Sequence, residues 1–106
     1  EPKVDIIQNE TEVVVKADVP GVNKEDINVT VTEDSITIRG EAKSDYEEKK
    51  ESYFHAERFY GTYSRTLPLP TLVAREKATA KFQDGVLTIT IPKATRPEKG
   101  HVVSID

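Results

Sequence analysis

The chain has 106 residues and a mass of 11.9 kDa, enough for one hydrophobic core and too little for two. Apolar residues at 36% and charged residues at 32% suit a globular domain, and 15 basic against 19 acidic side chains leave a net charge of -4. An acidic excess with interspersed signs argues against a nucleic-acid partner, which needs clustered Lys and Arg, and the absence of Cys removes thiol nucleophiles, disulfides and thiolate metal sites.

No run approaches the ~18 consecutive apolar residues of a membrane span, and the first residues lack the basic-then-apolar layout of a signal peptide, so the expected location is cytoplasmic. The chain contains no Met, so residue 1 is not expected to be a natural start. Val, Ile and Thr together supply 31 residues against four Leu and seven Ala, a β-branched load that favours strands.

The first strand-like run, Val4-Asp5-Ile6, is followed across polar Gln8-Asn9-Glu10 by Glu12 to Val19, with an apolar centre at Val13-Val14-Val15. Pro20-Gly21 ends it as a type II turn, Pro supplying the fixed φ and Gly the positive one. Asn23 is placed to cap one helical turn over Lys24-Glu25-Asp26. Ile27, Val29 and Val31 then share a face opposite Asn28 and Thr30. A tight turn at Glu33-Asp34 leads into Ser35 to Gly40, with Ile36 and Ile38 inward and Thr37 and Arg39 outward, which reads as a hairpin. Residues 41–51 carry eight charges and read as a solvated loop. Alternation resumes from Ser52 to Tyr60, with Tyr53, His55, Glu57 and Phe59 on one side and Phe54, Ala56, Arg58 and Tyr60 on the other, and neither side is cleanly polar.

After Gly61, the residues Tyr63, Arg65, Leu67 and Leu69 share a face, and Pro68 and Pro70 exclude a central strand there. A short helical turn is predicted over Leu72 to Glu76. Ala78, Ala80 and Phe82 lead into Gln83-Asp84-Gly85, and Asp-Gly between alternating runs is the strongest local hairpin signal in the chain. The return strand points Leu87, Ile89 and Ile91 inward and Thr88 and Thr90 outward, and Pro92-Lys93 stops it. Lys93 to Gly100 is polar and Pro-interrupted and reads as an extended tail, ending in apolar Val102-Val103-Ser104-Ile105. Seven or eight short strands without long helical segments predict an all-β sandwich.

Chemistry-bearing constellations are missing from this pattern. The carboxylates lie mostly in turns and the charged loop, His55 and His101 sit on a strand face and on the tail, and no phosphate loop, dinucleotide fingerprint, zinc motif or EF-hand spacing occurs. No enzyme activity, cofactor or metal is therefore expected. Asn9-Glu10-Thr11 and Asn28-Val29-Thr30 match the glycosylation triplet, which carries little weight without secretory signals. Arg65 leaves two readings open, an edge position with its charge snorkelling to water or an ion pair with a carboxylate across an interface. The apolar tail end also leaves two, a last strand folding back on its own sheet or a strand-like peptide that docks alternate side chains into a groove on a neighbouring chain.

The chain resembles the alpha-crystallin domain of the small heat-shock proteins over nearly its whole length. The resemblance rests on Pro2-Lys3-Val4-Asp5-Ile6, Ala17-Asp18-Val19-Pro20-Gly21-Val22, Lys24-Glu25-Asp26-Ile27 and Ile36-Thr37-Ile38-Arg39-Gly40. It continues in Glu57 to Arg65 with Leu69-Pro70, in Ala80-Lys81-Phe82-Gln83-Asp84-Gly85-Val86-Leu87 with Ile91-Pro92-Lys93, and in Val103-Ser104-Ile105. It implies an immunoglobulin-like antiparallel sandwich over residues 1–93 and a flexible extension over 94–106. It also implies ATP-independent holding of partly unfolded client proteins, in a homodimer that assembles into larger homo-oligomers.

By the same resemblance, the segment between Gly40 and Gly61 is similar to the long loop of the bacterial, archaeal and plant branches, in which a strand is exchanged between protomers. Tyr53, Phe54, His55, Ala56, Glu57, Arg58 and Phe59 would form that strand against the partner's Val4 to Ile7, making Val4, Ile6 and Arg65 interface residues. Val103 and Ile105 would dock between the strand of Ile27, Val29 and Val31 and that of Ala78, Ala80 and Phe82. A co-chaperone-like sandwich that binds a folded partner is the alternative; it would need neither the 52–60 strand nor the terminal anchor.

Overall fold

A computed structural model describes residues 3–42, 61–94 and 102–106. Its described residues form seven strands: β1 (Val4–Gln8), β2 (Glu12–Asp18), β3 (Ile27–Val31), β4 (Ser35–Ala42), β5 (Gly61–Pro68), β6 (Thr79–Gln83) and β7 (Val86–Pro92). They build two antiparallel sheets, one ordered β1-β2-β7-β6 and one ordered β3-β4-β5. This is the sandwich that the alternating runs predict.

The core lies where the two inner faces meet. Val13, Val15 and Ala17 of β2 and Leu87, Ile89 and Ile91 of β7 close on Ile36 and Ile38 of β4, all of them buried. The period-2 pattern is what selects these residues, because a strand sends alternate side chains to opposite faces. On β5 the half-buried positions are Tyr63, Arg65 and Leu67, the face that alternation assigns to them.

The turns follow the residue chemistry. Gly21 has φ +80°, as a type II turn at Pro20-Gly21 requires. Asp84 and Gly85 have φ +54° and +79°, so the β6–β7 hairpin turns through two left-handed residues, the type I′ geometry that Asp-Gly favours. Asn9 closes the β1–β2 hairpin: its Oδ1 accepts the amide protons of Thr11 and Glu12, each at 2.9 Å. Thr32 performs the same service between β3 and β4, its Oγ1 accepting the Ser35 amide at 3.0 Å.

Three local expectations need correction. A 3-10 turn covers Lys24–Asp26, but Asn23 makes no side-chain cap. The second helical turn lies at Arg75–Lys77, later than expected, because Val73 is buried and pairs with Lys93 instead. That bridge, with the Ala94 amide donating to Leu72 O at 3.1 Å, carries ordered pairing two residues past Pro92. Pro68 ends β5 opposite Ser35 on an edge strand, where its missing donor is tolerated.

The crossover from β5 to β6 moves the chain from one sheet to the other. Leu69 and Val73 are buried within it, and their amides donate to Asp34 O at 2.9 Å and Glu33 O at 3.0 Å. Chain positions 69–78 thus cover one end of the sandwich, and β3 and β6 are left as edges of different sheets.

Candidate functional site: a groove between two sheet edges

Between β3 and β6 lies a depression of about 440 Å³, lined by Lys24, Ile27, Val29, Ala80, Lys81, Phe82 and Leu87. Its origin is geometric. Among the described residues, neither β3 nor β6 has a further strand beyond it in its own sheet. Ile27 and Val29 reach inward only half-buried, and Phe82 is half-buried beside its register neighbour Leu87. Ala80 has too little side chain to fill the space between them. An open apolar cleft with two cationic side chains at its mouth suits branched aliphatic groups, and it assembles no nucleophile or general base.

Of the six residues assigned to a groove by resemblance, Ile27, Val29, Ala80 and Phe82 line this depression. Val31 and Ala78 do not; both pack against the core, and Ala78 precedes the first residue of β6. Sequence reading omits Lys24, Lys81 and Leu87. Leu87 is an inward core residue that also forms floor, whereas alternation turns Lys81 outward and so hides that its aliphatic stem borders the cleft. Lys24 enters from the 3-10 turn, where no period-2 signal exists.

The tail carries the second feature. Val103 and Ile105 are exposed, at 72% and 94%, so this chain does not bury its own apolar end. Residues 102–106 form no strand in the structure.

The proposed interface residues divide. Val4 and Ile6 of β1 pack against the core, and the exposed apolar side chain of that edge strand is Ile7. Arg65 is half-buried opposite Ile38, and it is not without a partner. Tyr53, Phe54, His55, Ala56, Glu57, Arg58 and Phe59, and likewise His101, lie outside the described residues.

Close to Arg65, the Tyr63 ring lies over Gly40, its register partner. A Cβ at Gly40 would stand 2.6 Å from Tyr63 Cζ and 2.7 Å from its oxygen, so only Gly admits the ring. The Tyr63 hydroxyl is buried without a hydrogen-bond partner among the described residues, and desolvation pushes its pKa above the usual 10.0. Among the described residues no three His, Cys, Asp or Glu side chains gather as a metal site, and no helix is long and apolar enough to cross a membrane.

Comparison with known proteins gives this arrangement a family. The profile of the Hsp20/alpha crystallin family matches residues 5–106. Small heat shock protein C4 of Rickettsia felis is 39% identical over 92 residues, covering 87% of this chain and 56% of that protein. The 17.6 kDa class I heat shock protein 1 of Arabidopsis thaliana is 41% identical over 95 residues, covering 88% of this chain and 61% of that one. The chain thus spans a little over half the length of these curated relatives. A small heat-shock protein of Xylella fastidiosa, described as having a distinct high order structure, superposes with a TM-score of 0.71 at 35% identity, covering 98% of this chain and 97% of that one. With its two-sheet frame, its Asp-Gly hairpin and this breadth of match, the chain belongs to the Hsp20/alpha crystallin family.

Proposed function

We propose that this chain is an ATP-independent holdase that binds partly unfolded proteins in the cytoplasm and keeps them from aggregating, without catalysing a reaction. The observation that carries this reading is the coexistence of an apolar cleft between two sheet edges with an exposed apolar pair, Val103 and Ile105, in a member of this family. In the same reading residues 1–93 are the alpha-crystallin domain and residues 94–106 an extension. Val103 and Ile105 of one copy dock as alternate side chains into the cleft of another. Exchange of the Tyr53 to Phe59 strand onto the β1 edge makes the homodimer, with Arg65 at the interface, and the tails join dimers into larger homo-oligomers.

The energetics suit a reversible assembly. Burying one Val and one Ile side chain yields roughly 3 to 6 kcal/mol gross. Ordering the tail and losing translational freedom consume much of it, so a single link is on the order of millimolar. Several links acting together hold a particle that can still open.

The test is light scattering from a heated model client with this chain added and no nucleotide. Suppression is expected as the chain approaches the client's concentration. Undiminished scattering at several-fold excess of an intact dimer would overturn the holdase reading for these residues.

A further inference from the structure

The two lysines at the mouth of the cleft have no role in apolar docking, and the residue after the apolar pair is an acid. Lys24 and Lys81 are exposed while bordering the cleft, which places their aliphatic stems along its walls and their ammonium groups at the rim. In an extended segment successive side chains alternate, so a tail that sends Val103 and Ile105 into the cleft turns Ser104 and Asp106 outward. Asp106 follows Ile105 directly, about 3.3 Å along the strand, and is itself exposed. Its carboxylate then stands at the level of the rim rather than the floor. Glu25 and Asp26 adjoin Lys24 in the same 3-10 turn, and no acid is among the described residues that line the cleft.

We propose that Lys24 and Lys81 form a cationic rim that receives Asp106 of a second copy's tail, so that the cleft reads an apolar-x-apolar-acidic segment and not an apolar pair alone. The inference rests on the docking reading above and adds to it a charge-dependent choice of segment. Exposed pairs of this kind are weak singly, so the rim tunes selection and salt response while the apolar pair supplies the affinity.

The test uses the full chain carrying V103G and I105G, so that its own tail does not compete, titrated by NMR with a synthetic peptide of residues 98–106. The expected result is binding seen at Ile27, Val29 and Phe82. Affinity should fall about two- to fivefold when the peptide carries Asp106→Asn, and by a similar factor when the receptor carries K24Q and K81Q. Combining the changes should cost nothing further, and raising salt from about 20 mM to about 300 mM should narrow the difference. Unchanged melting of the Lys→Gln receptor controls for folding. Equal affinity of native and Asp106→Asn peptides at low salt overturns the rim while leaving docking in place. If the native peptide binds no better than one carrying V103G and I105G, both fail.

Discussion

Tyr63 and Gly40 show how one residue's identity can depend wholly on another's position. The Tyr63 ring occupies the space that a Cβ at Gly40 would need, so Gly40→Ala should displace the ring and cost about 1 to 3 kcal/mol, read from the urea midpoint. The buried Tyr63 hydroxyl has no partner among the described residues, and removing an unsatisfied polar group returns its desolvation cost. Tyr63→Phe should therefore leave stability unchanged or raise it by up to about 1 kcal/mol; a loss larger than that would reveal a partner for the hydroxyl.

The same phenol gives a pH signature. Its folded pKa is raised above 10.0, so its contribution is complete below pH 10.0 and is lost as pH rises through the folded value, because the unfolded chain ionises first. Urea midpoints of the native chain should accordingly drop above pH 10 more steeply than those of Tyr63→Phe, whose curve lacks this component. Arg65, half-buried on the same strand face, should lose about 3 to 5 kcal/mol of dimer or fold stability on change to Ala if its charge is paired away from water. Sedimentation and denaturation together separate the two, and an effect below about 0.5 kcal/mol would return Arg65 to the surface.

At the scale of elements, the decisive feature is which strands are edges. β3 and β6 end their sheets side by side, and the cleft exists because Ala80 leaves space between Phe82 and the Ile27–Val29 pair. Ala80 is exposed, so Ala80→Leu should fill the cleft without disturbing the core. If tails dock there, Ala80→Leu should shrink the particle as far as V103G with I105G does, and the melting temperature should move by only about 2 °C. Retention of the full particle by Ala80→Leu, measured by light scattering, would place the tail contact elsewhere. β1 is the opposite edge of the four-stranded sheet, and its exposed apolar side chain is Ile7, which marks it as open to strand addition. If a homodimer forms by strand addition at β1, Ile7→Lys should weaken it several-fold in sedimentation while Val4 and Ile6 keep the strand on its core.

For the whole molecule, the legible part and the hidden part divide by physical range. The strands, the inward positions Ile36, Ile38, Leu87, Ile89 and Ile91, and the turns at Pro20-Gly21 and Asp84-Gly85 were readable because alternation and turn preference act over two to four residues. The second 3-10 turn lies later than local helix preference places it because long-range pairing of Val73 with Lys93 outweighs that preference. The cleft was only half legible. Ile27, Val29, Ala80 and Phe82 carry a pattern, but Lys24 and Lys81 reach it from a turn and from the nominally outward face of β6. By itself, then, the order of residues determined the all-β class, the inward faces, the hairpin turns and the family. Tertiary structure alone decided that β3 and β6 become neighbouring edges, that Tyr63 covers Gly40 and that two lysines frame the cleft. The first and last depend on how two separately ordered sheets face each other across a core, a relation between residues roughly fifty positions apart, and the second on the register of β5 against β4; no short-range pattern encodes either.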